Sequence, residues 1–393
     1  MNMKRLLSFS ICFSILANSG LLMAQQFQLK RIQSSAKQGL SQAVVVEGAE
    51  LIHTTQLLPT NSQGVIQGNS TAEQTAVLLK SLDTIFEKTG ASKSSLVKLN
   101  IYLATDSDRL VVISSLNHWL NETDLPAVSF VQTRLPNLKA KVAIDAIIAS
   151  PKTVLRKCSD VSILPRGDVV YVSGQAEKGD LKQATKQTLE SLLRSIQQIQ
   201  LDRSNIVAIK CFVSSMDQIS IVDDQIAEFF KGESTPAVSH VEWIAGSTHP
   251  IEIEMIASAP ASQSEQSVTY FTPEGMKTSP VYSRVARIHG NKRIYISGLQ
   301  SSKPGNGEEQ TKEIFKTLGS LLKQTGSDFK HLAKATYYVS DSDASSQLNK
   351  LRPLFYDPKR PPAASKAMVK GVGMQVRSLS IDIIATPIAR NRE

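Results

Sequence analysis

Apolar and polar positions along this chain alternate between two periods, and the alternation recurs three times. Residues 96–103, 206–213 and 332–339 are short, mostly apolar runs rich in Val, Ile, Leu and Tyr, which predicts buried strands. Ahead of each run lies a stretch with apolar residues at i, i+4 and i+7: Leu78/Leu82/Ile85, Leu189/Leu193/Ile196 and Ile314/Leu318/Leu321. That spacing puts one apolar stripe along a helix. A second helical stretch follows each strand, running to about residues 121, 230 and 356. Residues 141–147, 251–256 and 379–384 then set polar or acidic side chains between isoleucines, the period of two expected of a half-buried strand.

Two independent anchors give one spacing. The runs beginning at Leu96, Ile206 and Leu332 are offset by 110 and 126 residues, and so are Pro126-Ala-Val-Ser129, Pro236-Ala-Val-Ser239 and Pro362-Ala-Ala-Ser365. An Asp follows each run (Asp106, Asp217, Asp343), and Ile52-His-Thr-Thr-Gln56, Val172-Ser-Gly-Gln175 and Ile296-Ser-Gly-Leu-Gln300 open the units. A fixed period of this kind marks a repeated supersecondary unit. The reading is three copies of β-β-α-β-α-β, at 25–150, 151–258 and 279–393. The Ser-, Pro- and Ala-rich stretch 259–278 is expected to be a linker.

The chain has 393 residues, enough for three domains of this size. Lys4 and Arg5 precede an apolar core and a small-residue stretch ending at Ala24, which reads as a signal peptide over 1–24 and predicts export to the periplasm or outside the cell. The apolar core is too short to span a bilayer, and nothing later approaches such a run. No membrane association is therefore expected after cleavage. Cys158 and Cys211 remain beyond the leader; Cys211 sits in an apolar run and reads as an inert thiol. Residues 25–393 carry a net charge of +7, with no Lys/Arg run and few aromatics, so no nucleic-acid partner is expected.

The order of these motifs resembles the RidA-like, YjgF-type family, also called endoribonuclease L-PSP, of reactive-intermediate deaminases. The segments carrying the likeness are Val172-Ser-Gly-Gln175, Pro236-Ala-Val-Ser239, Ile251-Glu-Ile-Glu-Met-Ile-Ala257, Thr272-Pro-Glu-Gly275 and Pro280-Val-Tyr-Ser283. The resemblance implies an α+β fold of the chorismate-mutase-like kind, each unit a mixed sheet backed by two helices. Family members form trimers with a small-molecule cleft at each subunit interface. Three units on one chain are thus expected to pack as an intrachain pseudo-trimer, a monomer in solution. Linkage favours this by holding partner units at an effective concentration of about millimolar.

The family reaction, hydrolysis of an enamine or imine to a 2-keto acid and ammonia, implies an arginine directly after Pro-Ala to grip a substrate carboxylate. Val128, Val238 and Ala364 occupy that position here. The water-positioning glutamate of the family matches Glu252, while Ala143 and Ser380 stand at the corresponding places. The family's early tyrosine matches Tyr282, with Leu40 in the first unit. Candidate ligand-binding residues are therefore Tyr282, Ser173, Gly174, Gln175, Ser297 and Gly298, with Glu252 as the candidate catalytic residue. Arg134 and Arg360 read as exposed loop charges rather than substitute anchors.

Other chemistries find no support. The six histidines show no metal-ligand spacing, Gly305-Asn-Gly307 reads as a turn before a helix, and no Gly-x-Ser-x-Gly elbow occurs. No metal and no cofactor are expected. Three readings follow: an exported RidA-like protein whose deaminase activity is lost or altered, an active enamine/imine deaminase with a replacement anchor, and a ligand-free structural module. The first two take a small carboxylate-type metabolite.

Overall fold

The computed structural model describes residues 27–122, 124–150, 160–244 and 248–389. The leader segment and Cys158 lie outside the described residues. The first unit comprises β1 (Gln28–Ser35), β2 (Leu40–Glu47), β3 (Glu50–Thr54), α1 (Thr71–Thr89), β4 (Leu96–Leu103), α2 (Arg109–Leu120), β5 (Ala127–Gln132) and β6 (Val142–Ser150). The second comprises β7 (Val161–Leu164), β8 (Asp168–Gln175), α3 (Leu181–Gln197), β9 (Ile206–Val213), α4 (Ile219–Phe229), β10 (Ala237–Glu242) and β11 (Ile251–Ala259). The third comprises β12 (Val268–Phe271), β13 (Val285–Ile288), β14 (Lys292–Leu299), α5 (Gly307–Gln324), β15 (Leu332–Val339), α6 (Ser342–Leu351), β16 (Ala363–Met368) and β17 (Leu379–Ala385).

Each unit builds the same mixed sheet. The orders are β5-β4-β6-β3, β10-β9-β11-β8 and β16-β15-β17-β14, the first pair parallel and the others antiparallel in every case. The first helix of each unit starts on a side-chain cap, Ser70, Asp180 or Asn306, whose oxygen accepts from the third residue of the helix. Such caps satisfy backbone donors that the helix cannot. The Gly305-Asn-Gly307 turn is one of these caps. The expected stripes are buried or half-buried against the sheet, giving each unit its own core. Within the expected linker 259–278, Val268-Thr-Tyr-Phe271 forms β12 and pairs with β13, as β-branched and aromatic residues favour.

Strand pairing also ties each unit to both others. β3 of unit one pairs with β7 of unit two, β8 of unit two with β13 of unit three, and β14 of unit three with β2 of unit one. The opposite sheet faces meet in two further apolar clusters to which all three units contribute, one of them holding Tyr102, Phe212 and Tyr338 from equivalent positions of β4, β9 and β15.

Ion pairs inside this shared interior cross the unit boundaries. Lys98 Nζ on β4 donates to Asp382 Oδ1 on β17 at 2.8 Å, to Ser129 Oγ at 3.1 Å and to the Ile296 carbonyl at 2.8 Å. Ser129 Oγ donates to the other Asp382 oxygen at 2.8 Å. Burial opposes ionisation of Asp382, yet Lys98 and Lys334 hold its carboxyl below the usual carboxylate range. Removing one partner leaves an uncompensated buried charge, so Lys98→Met should cost about 3–5 kcal/mol in urea unfolding. Lys98→Met with Asp382→Leu should recover most of that loss.

Candidate functional site

The three seams between units share one construction but hold different residues. One unit supplies the end of its second hairpin strand and the start of its last strand. The next unit supplies the strand that begins Pro-Ala. Register sets the equivalences: Asn100 faces Asp145, Lys210 faces Glu254 and Thr336 faces Asp382. On the hairpin strands, His53 faces Ile147, Tyr171 faces Ile256 and Tyr295 faces Ile384. Gln56, Gly174 and Gly298 therefore occupy one position, in the three seams in turn.

Between units one and two, Gln56 fills the seam. Its backbone N–H donates to the Val238 carbonyl at 2.8 Å, its side-chain amide donates to the His240 carbonyl at 3.0 Å, and its Oε1 accepts from the His240 N–H at 3.2 Å. The amide thereby mimics a strand partner for β10.

Between units three and one, Ser297 Oγ donates to the Ser41 carbonyl at 2.6 Å and accepts from the Val128 N–H at 2.8 Å. A Cβ on Gly298 would stand 3.0 Å from both Ser129 Oγ and Ser380 Oγ. The segment around Gly373 lies hard against Phe130, and the Arg109 guanidinium sits 4.4 Å from the Phe130 ring centre while donating to the Gly373 carbonyl. Ser297 and Gly298 thus knit strands together here.

The seam between units two and three differs. Glu252 lies so close to Gly174 that a Cβ there would sit 2.0 Å from its carboxylate, so a larger residue would have to displace the Glu252 side chain. The Gly174 N–H donates to Ser365 Oγ at 3.1 Å, and Ser365 also hydrogen-bonds Glu252. Burial, reinforced by the charge of Glu254, pushes the Glu252 carboxyl up to about 7, against the pull of Ser365 and Lys366. Lys366 stands two residues past Ala364 on the same strand face, held by Ser345 Oγ at 3.0 Å and Asn349 Oδ1 at 3.1 Å. Burial and neighbouring Arg352 lower its pKa, while Glu252 opposes that shift.

Of the residues expected at a site, Glu252 and Gly174 meet here. Ser173 joins them through its N–H, which donates to the Arg284 carbonyl at 2.9 Å, and its buried hydroxyl has no partner among the described residues. Tyr282 lies along the same seam beside Ser283, whose N–H donates to the Pro362 carbonyl, and its ring carries the Arg284 guanidinium 5.0 Å away. The Gln175 amide turns instead into unit two, donating to Ser195 Oγ on α3 at 2.8 Å. Ser365 and Lys366 were missed by sequence reasoning. Their signal was the Pro-Ala-Ala-Ser motif itself, read one and two residues further along from the missing arginine. Arg134 pairs across a seam with Asp217 at 2.6 Å, and Arg360 approaches the Tyr270 ring. Among the described residues no cluster of His, Cys, Asp and Glu is arranged to hold a metal ion.

The family model for endoribonuclease L-PSP matches three times, over residues 31–150, 159–259 and 274–386. The chain belongs to this family, the RidA/YjgF deaminase-like proteins, as three tandem units. It is similar to the mouse 2-iminobutanoate/2-iminopropanoate deaminase, at 24% identity over 110 residues, 25% of this chain and 80% of that protein. It is similar also to the RutC family protein YoaB of Escherichia coli, at 35% identity over 77 residues, 20% of this chain and 68% of that protein. A solved structure of a YjgF family member from Neisseria meningitidis aligns at 22% identity with a TM-score of 0.24, over 32% of this chain and 96% of that one.

Because the folded pKa of Glu252 lies above the value of about 4.5 it has when unfolded, its protonated form stabilises the fold. That contribution is complete below about pH 4.5 and lost as pH rises through about 7. Glu252→Gln should therefore gain stability relative to the unsubstituted chain, by up to about 3 kcal/mol, as pH goes from 4.5 to 8. Chemical denaturation across that range measures the difference.

Proposed function

We propose that this chain is a RidA-like hydrolytic deaminase with an altered substrate anchor, working at the seam between units two and three. The observation that carries the reading is Glu252, a carboxyl poised near neutrality between Ser365 and the Gly174 backbone. A group with a pKa of about 7 both takes and returns a proton at neutral pH. In imine hydrolysis Glu252 takes a proton from water as its oxygen bonds the imine carbon. It passes that proton to the imine nitrogen, giving a carbinolamine, and then carries the carbinolamine hydroxyl proton to the same nitrogen as the carbon–nitrogen bond breaks, leaving a keto group and ammonia. The likeness to proteins named 2-iminobutanoate/2-iminopropanoate deaminase supports that substrate type. Lys366, on the strand face where the arginine would stand, supplies the cation for a substrate carboxylate.

The other two seams serve assembly in this reading, which favours an intrachain pseudo-trimer that is a monomer in solution. The leader-like residues before Gln25 support action after export. A second reading, a clefted binder that has lost turnover, is favoured by the absence of arginine at Val128, Val238 and Ala364.

Ammonia release from freshly generated 2-iminobutanoate tests the proposal on residues 25–393. Turnover should fall at least about 100-fold in Glu252→Gln, as expected for a lost acid–base group. Lys366→Met should raise KM about tenfold with little change in kcat. No turnover combined with a thermal shift from 2-oxobutanoate would establish the binder instead. Neither turnover nor shift sinks both readings.

A further inference from the structure

The interior shared by the three units contains a cavity of about 70 Å3, lined by residues of all three. Glu252 is not among its lining residues. Its construction follows from a broken repeat. Lys98 and Lys334 occupy equivalent places on β4 and β15, and each pairs with the carboxylate of the preceding unit in the cycle: Lys98 with Asp382 at 2.8 Å, Lys334 with Glu254 at 2.7 Å. The same rule would pair a lysine at position 208 with Asp145. Unit two has Ala208 there, and its lysine has moved two residues along β9 to Lys210.

Lys210 does not take over the missing role. Its ammonium approaches the Tyr338 hydroxyl at 3.4 Å and the Tyr102 ring at 5.7 Å, and makes no ion pair within 4 Å among the described residues. Asp145 is held by Asn100 at 2.7 Å and by the Tyr102 hydroxyl, both neutral donors. The space beside Ala208 and Asp145 forms part of the cavity.

The acceptors that would receive the absent ammonium are still in place. Around Lys98 they are a carboxylate (Asp382), the Pro-Ala-Val-Ser hydroxyl (Ser129) and the carbonyl of Ile296. Their equivalents are Asp145, Ser239 and Thr54, and all three line the cavity. Ser239 is only 6% exposed. His53, 5% exposed, lines the same space with Nε2 unpartnered; burial and nearby Arg293 push its pKa down to about 3, so the ring is neutral and retains an acceptor nitrogen. A buried polar atom without a partner is rare, and one facing a void lined by further acceptors marks a place for a ligand.

We propose that this cavity binds one small protonated amine, ammonium or methylammonium, held by Asp145, Ser239 and the backbone of Thr54 in the manner of the Lys98 ammonium. Lys98, Lys210 and Lys334 all line the cavity; the first and last are paired with Asp382 and Glu254, so Lys210 sets an upper limit on affinity, while Asp145 supplies the attraction. The size restricts the guest: at roughly 10–15 Å3 for each water position, the void accepts a few heavy atoms.

Thermal unfolding of residues 25–393 in ammonium, methylammonium, potassium or sodium chloride at constant ionic strength tests the site. Ammonium and methylammonium should each raise Tm by a few degrees over sodium, growing with the logarithm of concentration. Ala208→Lys should raise Tm without ammonium and abolish the dependence. Ala208→Met, which fills the space without charge, and Asp145→Asn, which keeps the space without the carboxylate, should each abolish it too. An ammonium effect no larger than that of sodium, or one that persists in Ala208→Met and Asp145→Asn, overturns the site and leaves a cavity for water alone. An equal effect of potassium overturns the assignment to an amine.

Discussion

Each unit completes its neighbour's sheet, and the rest of the structure depends on that exchange. The hairpin pairs β2/β3, β7/β8 and β13/β14 each give one strand to the unit's own sheet and lay the other beside a neighbour. An isolated unit would expose an unpaired strand edge and the inner face of its sheet, a combination that invites aggregation. Pairing between units covers both. It also determines where chemistry can occur. Three seams arise where the end of one unit's hairpin meets the next unit's Pro-Ala strand, and those seams bring backbone donors and side chains from two units together.

In a trimer of identical chains the three seams would have to share one sequence, because symmetry repeats every substitution. Here each seam diverges alone, and the contents differ accordingly. Gln56 closes the first seam by pairing its amide with both backbone groups of His240. Ser297, Ser129 and the Gly373 segment bind the third seam together. In the second seam Gly174 leaves room for a carboxylate, and burial beside Glu254 makes that carboxylate expensive to ionise. On the proposed function, a pKa near neutrality gives that carboxyl the working range of a proton-transfer group.

The repeat and the sheet and helix order were legible in one sequence, because they rest on local periods and short motifs. Leu78, Leu82 and Ile85 announce a helix face whatever the tertiary context, and the common offset of 110 and 126 residues needs no partner to be seen. Relations between strands were not legible. Lining up glutamines suggests that Gln56 corresponds to Gln175 and Gln300, whereas the strand register places Gln56 level with Gly174 and Gly298. Gln175 likewise looks like a cleft residue until α3 offers Ser195. The linker reading of 259–278 followed its small polar residues and passed over four strand-forming residues at 268–271, whose partner strand lies further along the chain.

The same limit explains why a single-residue pattern can conceal a change of charge architecture. Lys98, Ala208 and Lys334 look like an ordinary variable strand position until the interior places each opposite another unit's carboxylate. Only then does the lysine at 210 appear as a displaced partner and Asp145 as a carboxylate left with neutral donors. Displacement costs less than deletion would, since Lys210 keeps the three lysines and three carboxylates of the interior in balance while vacating one specific position. A buried charge that moves by two residues stays on the same face of its strand. Net neutrality of the interior and local incompleteness are therefore compatible, and unit two is where both the seam and the interior depart from the pattern of the other units.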